Sequence, residues 1–150
     1  METKHIWYGT PSLEDLRWLK KDNIGAVLDI QIEEIGPDFL TGTMPVDKRT
    51  IQPFGILHGG ASVVLAETLG SVASLLVVDQ TNFIGVGLEI NANHIKAVSN
   101  GRVKGICKPI HIGGRTHVWE IKIYNDKNEL CCISRFTCAV VAKNKLPINK

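Results

Sequence analysis

One carboxylate stands alone in the most apolar stretch of this chain. Residues 57–78 comprise 22 positions, and Glu67 is their only formal charge. A carboxylate in such surroundings is either ion-paired, solvated or chemically employed, because an unpaired buried charge is costly. Read as a helix, Leu65, Leu69, Val72 and Leu76 form one apolar stripe. Gly60, Val64, Glu67, Ser71 and Ser74 fall on the opposite side, a small and polar stripe with the carboxylate at its centre. Such a carboxylate can act as a general base or a nucleophile. The run opens on His58-Gly59-Gly60. Backbone N–H groups at a helix start can polarise a carbonyl and stabilise an oxyanion, and glycines let a ligand come close. A plain glycine turn is the structural alternative.

Spacing then sets a condition. Gly60 and Glu67 are seven residues apart, roughly 10 Å at the helical rise. A base and an oxyanion donor must each lie within about 3 Å of the reacting atoms. One helix cannot supply both to one substrate, whereas two antiparallel helices can, each start serving the other's Glu67. The chemistry therefore predicts a two-fold dimer with its site at the interface.

The elements that must position these residues follow from periodicity. Residues 12–20 predict a short helix, with Ser12 as cap and Leu13, Leu16 and Leu19 as its apolar stripe. Period-two alternation at residues 28–33 predicts a strand, Gly36-Pro37-Asp38 a turn, and residues 39–46 a second strand. Residues 47–60 read as a loop leading into the long helix. Then Ile84, Val86, Leu88, Ile90 and Ala92 alternate as one apolar strand face. Further strands are predicted at residues 102–112, around Trp119, Ile121 and Ile123, and at residues 130–141. Turns at Ser99-Asn100-Gly101, Gly113-Gly114 and residues 125–128 separate them. Strands joined by tight turns imply an antiparallel sheet, and the one long helix is apolar enough to be wrapped by it. The predicted class is α+β in a single domain of residues 1–150, with residues 1–23 as an N-terminal helical extension and 143–150 as a polar tail.

Bulk properties narrow the function. A net charge of +2 argues against nucleic acid as a partner. The apolar run is long enough to span a bilayer, but Glu67 at its middle and the interspersed Ser and Gly residues argue against a membrane. The N-terminus shows no signal-peptide pattern, and Cys107, Cys131, Cys132 and Cys138 form no CxxC pair. Reduced structural thiols in a cytoplasmic protein are expected. His5, His94, His111 and His117 have no metal-ligand spacing. No GxSxG elbow is present.

The segment Gln52-Pro53-Phe54-Gly55-Ile56-Leu57-His58-Gly59-Gly60-Ala61-Ser62-Val63-Val64-Leu65-Ala66-Glu67 resembles the core motif of hotdog-fold thioesterases of the PaaI type. Leu88 to His94, Cys107 to Gly113 and Met44-Pro45-Val46-Asp47 are similar to the same family. The resemblance implies a hotdog fold, an antiparallel sheet wrapped around a long central helix. It implies hydrolysis of an acyl-CoA thioester, an aryl-CoA above all, with a carrier-protein thioester or non-catalytic acyl-CoA binding as alternatives. It also implies a homodimer, often paired into a dimer of dimers. Glu67 matches the catalytic carboxylate, as base or nucleophile. Gly59 and Gly60 match the helix start that polarises the carbonyl, Gln52 and His58 residues that orient thioester or water, and Ser71 a position assisting the carboxylate. Gly87, His94, Ile95, Lys96 and Ala97 match positions lining the CoA and acyl site, as do His111, Ile112, Gly113, Gly114, Arg115 and Thr116. Lys96 and Arg115 suit phosphate. A thioester is already activated, so no metal or organic cofactor is expected.

Overall fold

In a computed structural model, residues 5–146 are described. Ser12 opens a 3-10 helix, Leu13–Lys20, and its backbone N–H and hydroxyl both donate to Asp15 Oδ2 at 2.8 Å. Leu16 reaches the core, while Leu13 at the helix start stays exposed. Asn23 then caps a one-turn helix α1, Ile24–Val27, its Oδ1 accepting from the Ala26 N–H at 3.0 Å. This turn displaces the first predicted strand. Residues 28–30 leave α1 through Asp29 at φ +52°, and β1 spans Gln31–Ile35 instead. The alternation of Leu28, Ile30 and Ile32 hid a helical turn that the Asn23 cap nucleates.

β1 forms a hairpin with β2, Leu40–Pro45, around the predicted Gly36-Pro37-Asp38 turn. The long helix α2 spans Gly59–Val77. After it come β3 (Phe83–His94), β4 (Arg102–Ile112), β5 (Thr116–Tyr124) and β6 (Leu130–Ala142). The six strands form one antiparallel sheet in the order β1-β2-β4-β5-β6-β3. The tail begins with a 3-10 turn, Lys143–Lys145.

α2 lies in the concave face of this sheet and packs on β2 through β6. The predicted stripe of Leu65, Leu69, Val72 and Leu76 is buried there. Gly70 allows the close approach: a Cβ at that position would stand 2.4 Å from the Phe136 ring. Although α2 is long and apolar enough to cross a membrane, this packing accounts for its composition. Ser74 departs from the predicted polar face. It is fully buried and accepts a 2.7 Å hydrogen bond from the Trp119 indole N–H of β5. The sheet closes over that end of the helix, so a position polar by helical arithmetic becomes the acceptor for a core tryptophan.

The expected single apolar face of β3 is also corrected. A bulge between Gly87 and Glu89 adds a residue to β3 opposite β6. Before it, Gly85 and Gly87 face the helix, as their contacts with Ser74 and Glu67 show. After it, Ile90 and Ala92 pack against the core. One extra residue reverses which face a strand's odd positions take. Leu88, at the bulge, is 64% exposed.

Candidate active site

The start of α2 is built by the preceding loop. The Thr50 hydroxyl donates to the Pro45 carbonyl at 2.8 Å, and the His58 N–H donates to the Thr50 carbonyl at 2.8 Å. Leu57 N–H donates to Val98 O at 2.7 Å and ties the loop to the segment after β3. Pro53-Phe54-Gly55 turns tightly, with Gly55 at φ +83°, a conformation that favours glycine. Gln52 Oε1 accepts from the Phe54 N–H at 2.5 Å. That bond fixes the amide's orientation and points its NH₂ donors away from the turn.

His58 is the cap of α2, its Nδ1 accepting from the Gly60 N–H at 2.8 Å. This refines the expected oxyanion donor. The Gly60 N–H is occupied by His58, while the Gly59 N–H has no partner among the described residues. A Cβ on Gly59 would stand 2.6 Å from His94 Nε2, so glycine is what lets that imidazole sit over the helix start. Gln52, Gly59, His94, Ile95, Lys96 and Ala97 line one recess of about 310 Å³.

Two turns further along, Glu67 is half-buried and has no ion-pair partner among the described residues. It lines a different cavity, of about 570 Å³, together with Ser71 and Thr68 of α2. That volume is within the range of ~300–1,000 Å³ usual for small-molecule sites. The β3 bulge presents Gly87 to the carboxylate, and a Cβ there would stand 2.9 Å from Glu67 Oε1. Gly87→Ala should push the carboxylate aside and lower kcat by about 10- to 100-fold, since misplacement by about 1 Å can cost that much. Thermal unfolding followed beside steady-state kinetics checks it: the same Cβ would stand 3.2 Å from the buried Phe136 ring, so the midpoint should fall modestly while kcat falls with the displaced carboxylate.

The remaining predicted residues lie elsewhere. Gly113 N–H donates to Thr116 O at 2.9 Å and closes the β4–β5 hairpin, which carries His111, Ile112, Gly114 and Arg115. Arg115 O accepts from Val140 N–H at 2.9 Å, and Val140 is the partner of Gly85 near the start of β3. His94 lies at the other end of β3, eleven residues on from Phe83, or about 37 Å along the strand. The chain therefore does not bring its three groups of predicted residues together. It joins Gln52, Gly59 and His94–Ala97 at one end, Glu67, Ser71 and Gly87 in the middle, and the hairpin at the far end. Lys96 Nζ is 2.5 Å from Glu129 Oε1 at an exposed position, and that bond together with one from Asn125 holds the Glu129 carboxyl below its ordinary range. Arg115 is exposed.

A model of the thioesterase superfamily matches residues 54–132. The chain belongs to that superfamily. This thioesterase is 53% identical over 136 residues to 1,4-dihydroxy-2-naphthoyl-CoA hydrolase of Escherichia coli, covering 91% of this chain and 99% of that protein. It is 46% identical over 136 residues to the proofreading thioesterase EntH of Cronobacter turicensis, covering 91% and 98%. The crystal structure of a mutant thioesterase from Pseudomonas aeruginosa superposes with a TM-score of 0.89 at 50% identity, covering 91% of this chain and 99% of that one.

Trp18, Asn23, Ile24 and Gly25 line the Glu67 cavity and carried no signal in the sequence. Nothing in their spacing relates the N-terminal segment to a helix forty residues later. The four cysteines are buried free thiols. Burial pushes the Cys132 thiol up to about 11, which fits a packing role.

Proposed function

We propose that this thioesterase hydrolyses an aryl-CoA thioester, 1,4-dihydroxy-2-naphthoyl-CoA in particular, to the free acid and CoA. The observation that carries the reading is the carboxylate of Glu67, without an ion pair among the described residues, in a mostly apolar cavity large enough for a bicyclic acyl group. The relative from Escherichia coli supports the choice of acyl group. Water adds to the thioester carbonyl carbon, the C–S bond breaks, and the sulfur leaves as a thiol. The Gly59 N–H polarises the carbonyl oxygen, the Gln52 NH₂ orients thioester or water, and Glu67 takes the water's proton or attacks the carbon directly. Ser71 assists the carboxylate. The reaction needs no metal or organic cofactor, because the thioester is already activated.

Two copies complete the site. β3 is an outer strand bonded only to β6 among the described residues, twelve residues long, with apolar Val86 and Leu88 exposed. A long apolar edge of this kind favours pairing with another chain. Antiparallel pairing of two such edges about a two-fold axis lays the His94 end of one copy beside the Phe83 end of the other. The helix start of one copy then approaches Glu67 of the second, and the second copy's hairpin approaches the first copy's Lys96. A dimer of dimers and a cytoplasmic setting complete the proposal.

Thiol release measured over aromatic and aliphatic acyl-CoAs tests it, with matched acyl groups on a carrier protein. The expected ranking puts 1,4-dihydroxy-2-naphthoyl-CoA first. A preference for medium aliphatic chains would overturn the aryl assignment. Faster turnover of the carrier-bound acyl group would favour the proofreading role named for EntH. Binding with no thiol release would leave only a binding module.

A further inference from the structure

The cavity beside Glu67 is not formed by the helix and sheet alone. Trp18, Leu19, Asn23, Ile24 and Gly25 supply one wall, and all five precede β1 and lie outside the superfamily match. The wall is held by its polar atoms. Asn23 Nδ2 donates to the carbonyls of Leu19 and Lys21 at 2.9 Å, while its Oδ1 holds the Ala26 N–H. Ile30 N–H donates to Gly25 O at 2.8 Å, and Leu16 anchors the preceding turn in the core. The two large side chains on this braced backbone are left uncovered: Trp18 is 56% and Ile24 59% exposed. Of the three tryptophans, Trp7 and Trp119 are buried, and each indole N–H bonds inside the protein, to Gly36 O and Ser74 Oγ. Trp18 alone is free to meet a ligand.

An indole on a rigid backbone, facing a cavity with a reactive carboxylate, is a surface for a flat ring. Planar aromatic groups stack on such a face, whereas a flexible alkyl chain gains only burial. The geometry points to Trp18, with Ile24 beside it, as the residue that selects planar aromatic over aliphatic acyl groups. This rests on the acyl-CoA hydrolase reading above and assigns its specificity to a segment outside the matched superfamily region.

The test compares Trp18→Phe and Trp18→Leu, which both keep an apolar side chain at a largely exposed position and so preserve the fold. The readout is the ratio of kcat/KM for benzoyl-CoA to that for hexanoyl-CoA, with thermal midpoints alongside. Trp18→Leu should lower this ratio by about tenfold through the aromatic substrate alone, and Trp18→Phe should retain it within about threefold. A Glu67→Gln background, titrated with benzoyl-CoA, should show quenching of tryptophan fluorescence that Trp18→Phe abolishes. An unchanged ratio in Trp18→Leu, or equal loss on both substrates, overturns the assignment. Failure of the native protein to release thiol from either substrate would instead sink the hydrolase reading, and the fluorescence titration would still report on Trp18.

Discussion

Glu67→Gln should lose about 10²–10⁴-fold in kcat, the range a positioned acid–base group contributes. The substitution keeps the volume and the helix. Glu67 has no ion pair to lose among the described residues, and it sits on the half-buried face of α2 rather than on the Leu65–Leu69 stripe. The thermal midpoint should therefore stay close to native. Single-turnover thiol release separates the two roles left open for the carboxylate. A nucleophile would show a burst of CoA in the native enzyme, matched by a trapped acyl-enzyme, whereas a general base would release thiol and acid together. Near-native kcat in the purified variant would remove Glu67 from the chemistry altogether.

Mixing two inactive variants should restore activity if the site spans two copies. Gly59→Val would carry a side chain into His94 and block the helix start, while Glu67→Gln would disable the carboxylate. Each homodimer would be nearly silent. A mixed dimer would hold one site with both native parts and one with neither. Random exchange in a symmetric dimer then predicts recovery to about a quarter of native activity. No recovery, with exchange verified by mass, would place Glu67 and the helix start of the same copy in one site. The separation within one chain makes that outcome unexpected, because Gly59 and Glu67 line different cavities.

Much of this was legible in the residues themselves. The lone charge of the apolar run, the glycine helix start and the seven-residue spacing all follow from helical arithmetic, which is local and needs no fold. The strands from β4 to β6 and their turns follow from period-two patterning for the same reason. Resemblance of the Gln52–Glu67 segment added the family, which the superfamily match bears out. Where the reading failed, a contact distant in sequence had decided the outcome. Ser74 looked like part of the polar face until Trp119, 45 residues away, proved to donate to it.

The same division applies to the carboxylate. Local spacing alone makes Glu67 the sole charge of an apolar helix and sets it about 10 Å from its own helix start. Tertiary structure decided what surrounds it. The β3 bulge turns Gly87 rather than a larger side chain toward Oε1, and the N-terminal segment folds back to wall the cavity with Trp18 and Ile24. Neither could be read from local patterning, because strand register and the docking of a distant segment are set by packing across the whole sheet, and one extra residue in a strand reverses every face beyond it.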